Sequence, residues 1–78
     1  MKNEQILKDF GDRIKSLRKG KNLSQEQLSF EIGFHRTYIG MVERGERNLS
    51  LSNIKVFSDY FDLSLSDLFN STEFKKIN

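Results

Sequence analysis

Seventy-eight residues with no cysteine and a net charge of +2, from 13 Lys+Arg against 11 Asp+Glu, describe one small domain. Neither a disulfide nor a cysteine-ligated zinc site can brace it, and a single histidine, His35, argues against any other structural metal, so stability must come from helix packing or from a second copy of the chain. No apolar run approaches the roughly 20 residues that span a bilayer, and the opening stretch MKNEQILKDF is too polar and acidic for a signal peptide, which makes the cytoplasm the expected compartment. Proline is absent and Lys, Glu, Gln and Leu abound, which favours an all-α fold. Residues 1–47 hold 10 basic against 7 acidic side chains, and residues 48–78 hold 3 against 4. The basic excess suits a phosphate-facing surface, although ordinary surface charge explains it equally well.

In chain order, residues 1–5 are expected to be loose. A first helix spans Gln5 to Lys19, with Ile6, Phe10, Ile14 and Leu17 on one apolar stripe. Gly11 weakens it locally, and Gly20 is a natural stop after Arg18 and Lys19. A second helix starts at Ser24, where Gln27 completes a capping-box pattern. Leu28 and Ile32 face inward, Gly33 ends the helix in a left-handed conformation, and Phe34 plugs the corner. A third helix runs from Arg36 to Arg44, with Ile39 and Val42 inward and Arg36, Thr37, Gly40 and Arg44 outward. After the loop Gly45-Glu46-Arg47-Asn48, Ser50 caps a fourth helix, Leu51 to Phe61, whose broad face carries Leu51, Ile54, Phe57, Ser58 and Phe61. Ser64 and Asp67 open a fifth helix with Leu65, Leu68 and Phe69, which Phe74 and Ile77 can extend. The expected architecture is a compact five-helix bundle with its core at about 5–69.

Two short helices meeting at a glycine over residues 24–44 make a helix-turn-helix pattern, in which the second helix enters the DNA major groove. The start of the second helix then faces a phosphate, and Gln25 and Gln27 can add donors there; plain helix-start polarity accounts for both glutamines as well. Arg36 can bond guanine O6 and N7 together, and Thr37 can meet a thymine methyl or a phosphate. Gly40 permits close approach. The Tyr38 hydroxyl can touch the backbone while its ring packs on the protein, and Arg44 and Arg47 can clamp phosphates. Glu43 flanks the inner stripe and needs a partner, for which Arg18 is the candidate. His35 is either a cap or a phosphate contact. No catalytic constellation is present, and no enzyme activity or cofactor is expected.

Over Phe10 to Phe69 these residues resemble the Cro- and phage-repressor-like (XRE) helix-turn-helix family. The pattern SQEQLS-x-x-IG-F-x-RTYI-x-x-x-ERG-x-R carries the resemblance, and RTYI followed by ER and RN is most like the controller proteins of restriction–modification systems. The resemblance implies a dimer on operator DNA, regulating its own gene and the endonuclease gene. It places Gln25 on a phosphate, Arg36 and Thr37 at the start of the reading helix, and Tyr38, Arg44, Arg47 and Asn48 beside the backbone or central groove. It also matches Arg18 and Glu43 to a buried ion pair. Ser29 departs from the usual alanine and Gly40 from a commoner serine. Phe30 stands where some activators carry an acid facing RNA polymerase sigma factor, leaving Glu26 as the candidate for that touch.

One recognition helix reads too few bases, so two copies about one helical turn apart are expected on a near-palindromic site. Tyr60, Leu65, Leu68 and Phe69 are candidates for the two-fold interface, the alternative being that all four fold inward. A phage or mobile-element repressor is the rival reading within the class. An antitoxin-like protein–protein module is the rival outside it.

Overall fold

Four helices begin on a side chain that accepts a hydrogen bond from the backbone two or three residues on, and these caps decide where each helix starts. In the computed structural model, which describes residues 4–74, the order is α1 (Glu4–Gly20), α2 (Gln25–Ile32), α3 (Arg36–Glu43), α4 (Leu51–Tyr60), α5 (Leu65–Phe69) and a 3-10 turn, Thr72–Phe74. The capping box before α2 is complete: Gln27 N–H donates to Ser24 Oγ at 3.0 Å, and Ser24 N–H donates to Gln27 Oε1 at 2.7 Å. Of the two roles open to His35, the structure shows the cap, since Thr37 N–H donates to its Nδ1 at 3.0 Å. Ser50 and Ser64 cap α4 and α5 through the N–H groups of Asn53 and Asp67.

Gly33 takes the left-handed conformation, with φ of 90°, and so sets the bend between α2 and α3. The stop after α1 differs from the expectation. α1 reaches Gly20, but the left-handed residue is Asn22, with φ of 59°. Leu23 N–H returns to Arg18 O at 3.2 Å and Asn22 N–H to Lys19 O at 2.9 Å, so the last carbonyls are satisfied two residues beyond the glycine. α4 closes in the same way on Asp62, with φ of 57°. Asn and Asp tolerate this region better than other residues with a β-carbon.

The core consists of Phe10, Ile14, Leu28, Ile39, Val42, Phe57 and Leu68. Phe34 fills the corner, its ring 4.9 Å from Tyr38 and 5.2 Å from Phe57. The two buried serines satisfy themselves within their own helices: Ser29 Oγ donates to Glu26 O at 2.7 Å and Ser58 Oγ to Lys55 O at 2.9 Å. Ser29 therefore fits beneath α3 without an orphaned hydroxyl.

Several expectations are corrected here. Residues 4 and 5 are already helical rather than loose, and residues 1–3 lie outside those described. Ile6 and Leu51 sit on apolar stripes but are exposed, Leu51 by 74%. The chain does not extend α5. It leaves at Asn70 and makes a separate 3-10 turn, which lays Phe74 5.1 Å from Phe69; Ile77 lies outside the described residues. Arg13, which sequence reasoning passed over, donates to Leu68 O at 2.9 Å and Asp67 O at 3.0 Å, taking up carbonyls at the end of α5.

α1 also fixes the height of α3. A β-carbon on Gly11 would lie 2.3 Å from Val42 O and 2.6 Å from Glu43 O. One on Gly45 would lie 2.9 Å from Lys8 Cα. Lys8 and Gly11 are neighbours on the same face of α1, so these two glycines let the α1 backbone lie directly on the end of α3. Gly11 is thus a packing contact and not merely a weak point in a helix.

Candidate nucleic-acid interface

The outer face of α3 is held from behind by a buried ion pair. Arg18, on the last turn of α1, donates from Nε to Glu43 Oε2 at 2.6 Å and from Nη2 to Glu43 Oε1 at 2.9 Å. Its Nη1 donates to Leu23 O at 2.7 Å. Gln25 Nε2 adds a third bond to Glu43, on Oε1, at 3.0 Å. Both charged groups are buried, and each is matched by a planar partner and a further hydrogen bond. The pair therefore ties the end of α1 and the start of α2 to the end of α3. Gln25 is partly committed to this network, so one of its donors is spent inside the protein.

In front of the pair, Gln25, Glu26, Arg36, Thr37, Gly40 and Arg44 line one open notch of 370 Å³. The structure so brings together five of the residues expected to meet DNA. Arg36 and Thr37 are exposed at the first turn of α3. Gly40 is not exposed as expected: it is buried beneath two side chains, and a β-carbon there would lie 3.1 Å from Arg44 Nη1 and 3.5 Å from Gln25 Oε1. Its missing side chain makes a seat for the Arg44 guanidinium.

Arg44 does not stand free. Its Nε donates to Glu46 Oε2 at 2.9 Å and its Nη2 to Glu46 Oε1 at 3.1 Å. The hydrogen bond from Arg44 holds the Glu46 carboxyl below its ordinary range, with the guanidinium charge adding to the effect, and the same contacts raise Arg44. Both groups are exposed, so a phosphate can replace Glu46 at little cost. Gln27 stays on the α2 cap, outside the notch, with its oxygen engaged by Ser24. Asn48 faces elsewhere, lining an apolar pocket of 160 Å³ with Ile6, Leu7, Phe10, Leu49, Ile54 and Phe69.

Tyr38 and Arg47 form a second group. The Arg47 guanidinium lies 5.0 Å over the Tyr38 ring, and Phe34 packs against the same ring. Asn53 Nδ2 donates to the Tyr38 hydroxyl at 3.0 Å. No sequence signal marks Asn53, because the contact crosses from α4 to α3, fifteen residues back.

A family model described as helix-turn-helix matches residues 14–68. The chain belongs to the helix-turn-helix family. Its relatives include the control protein C.BamHI of Bacillus amyloliquefaciens, 45% identical over 64 residues, which covers 81% of this chain and 79% of that protein. The control protein C.MunI of a Mycoplasma species is 43% identical, with 82% of this chain and 88% of that protein covered. Among solved structures, the restriction–modification controller protein C.AhdI from Aeromonas hydrophila matches with a TM-score of 0.75 and 47% identity, over 82% of this chain and 97% of that one. This helix-turn-helix chain thus shares most of its length with proteins described as controllers. No helix among its described residues is long and apolar enough to cross a membrane.

The interface residues expected on helices 4 and 5 divide. Leu68 is 0% exposed and belongs to the monomer core, so its side chain has no surface to offer a partner. Tyr60 is engaged within the chain: its hydroxyl donates to Glu31 on α2, and Lys21 Nζ lies 5.1 Å over its ring. Leu65 and Phe69 stay 37% and 36% exposed.

Proposed function

We propose that this chain is a transcriptional regulator of a restriction–modification system, which binds operator DNA as a homodimer and controls its own gene and that of the endonuclease. The observation that carries the reading is the notch: Arg36, Thr37 and Arg44 converge on one exposed face of α3. The similarity to control proteins supports the system it serves. In this reading Arg36 and Thr37 meet base edges. Gln25, Arg44, Arg47 and Tyr38 hold the backbone, with Glu46 exchanged for a phosphate on Arg44. Gln27 flanks the contact, and Asn48, turned to the apolar pocket, takes no part in it. Glu26, exposed on α2, is the surface offered to RNA polymerase sigma factor, and the protein works in the cytoplasm.

The dimer reading now rests on Leu65 and Phe69, together with exposed Ile6, Leu51 and Val56. A mobility-shift assay with the DNA upstream of the chain's own gene tests the function. Arg36→Ala is expected to weaken binding by about 10- to 100-fold per half-site and to relax preference at one base pair. Equal binding by the two proteins, with the same dependence on salt, overturns the readout.

A further inference from the structure

We infer that Asn53 is a positioning residue for DNA binding: by donating to the Tyr38 hydroxyl it turns that hydroxyl's own proton outward, towards a backbone phosphate. The inference rests on the DNA-binding reading above and deepens it.

A phenol oxygen has one proton and can also accept. The proton lies close to the ring plane, so a donor arriving on one in-plane side leaves the proton to the other. Asn53 Nδ2 occupies the accepting side at 3.0 Å. Among the described residues no acceptor takes the Tyr38 proton. The ring itself cannot swing to find one. Phe34 packs at 4.9 Å, and Arg47 covers it at 5.0 Å. Asn53 is anchored in turn, since its own N–H donates to Ser50 Oγ at 3.1 Å, in the cap of α4. The start of α4 therefore orients a neutral donor that sits beside an exposed cation, Arg47, at the edge of α3. The ligand group matching that pair is an anionic oxygen with room for two donors, as in a phosphodiester. A base edge would be selected by its pattern; a phosphate is met at any sequence.

The two contacts differ in their response to salt. Losing an arginine–phosphate contact lowers the slope of log K against log salt by about 0.9 per phosphate, because a counterion is no longer released. Losing a neutral donor weakens binding without moving the slope. Binding to the upstream DNA is measured across a salt series for wild type, Tyr38→Phe, Asn53→Ala, the double variant and Arg36→Ala, with thermal melting of each protein. Tyr38→Phe is expected to weaken binding several-fold at unchanged slope. Asn53→Ala is expected to weaken it by a smaller factor when Tyr38 is present and not at all in the Tyr38→Phe background, with no change in slope. An equal loss in both backgrounds means that Asn53 touches DNA or supports the fold itself, and overturns the proposal. No loss when Tyr38 is present overturns it as well. A wild type that fails to shift this DNA, or an Arg36→Ala variant that binds equally, rejects the underlying reading instead, a different result from binding without coupling.

Discussion

Two glycines separate steric from conformational cause. Gly33 has φ of 90° and open space around its missing side chain, so Gly33→Ala meets only the cost of holding a β-carbon in the left-handed region, about 1–2 kcal/mol. Gly11 is helical, and alanine there would gain about 1 kcal/mol in helix propensity. Its β-carbon, however, would press into the carbonyls of Val42 and Glu43, which are backbone and cannot swing aside. Gly11→Ala is therefore expected to be the more damaging change despite its better propensity, pushing α1 off α3. Urea unfolding of the two variants checks the order; a Gly11→Ala protein as stable as wild type would show that α1 and α3 are not in backbone contact.

Between elements, the strongest tie is Arg18 to Glu43. Its energetic meaning is asymmetric. Glu43→Ala alone leaves a buried guanidinium without its partner and is expected to cost about 3–5 kcal/mol. For a domain of this size that approaches the whole stability. Arg18→Met with Glu43→Leu removes both charges and is expected to recover most of the loss, though Gln25 then lacks its acceptor. The tie from α4 to α2 behaves differently. Partial burial, the hydrogen bond to Glu31 and the charge on Glu31 push the Tyr60 hydroxyl up to about 12. The folded chain then holds this proton more tightly than the unfolded chain, whose tyrosine titrates near 10. Its contribution is fully present below about pH 10 and is lost as pH rises through about 12. Melting temperature is expected to fall over that interval, and Tyr60→Phe to flatten the fall.

For the whole molecule, the open question of size becomes one of association. Among the described residues seven apolar side chains are fully or nearly buried, while Ile6, Phe30, Leu51, Val56, Leu65 and Phe69 stay at the surface. If a second copy covers Leu65 and Phe69, stability rises with protein concentration. Leu65→Asp and Phe69→Asp together are then expected to yield a monomer in sedimentation equilibrium and to weaken operator binding far more than either half-site contact. A wild type that stays monomeric at micromolar concentration would remove the dimer.

What the sequence determined by itself is local. Ser24 with Gln27, Ser50, Ser64 and Gly33 act over two to four residues, so helix starts and the central bend follow from spacing alone. The apolar stripes named most of the core, and the place of Glu43 beside the inner stripe, which the family pattern matched, named the ion pair with Arg18. The tertiary structure decided whatever depends on what comes to lie opposite. It put Leu68 inside and left Leu51 out, because a stripe says which side is apolar and not where its cover ends. It made Gly11 a contact, gave Gly40 to Arg44 as a seat, and joined Asn53 to Tyr38. Each of these depends on two segments that meet only when helices from different parts of the chain pack. The recognition helix was legible in order of residues, and the way its side chains are held was not.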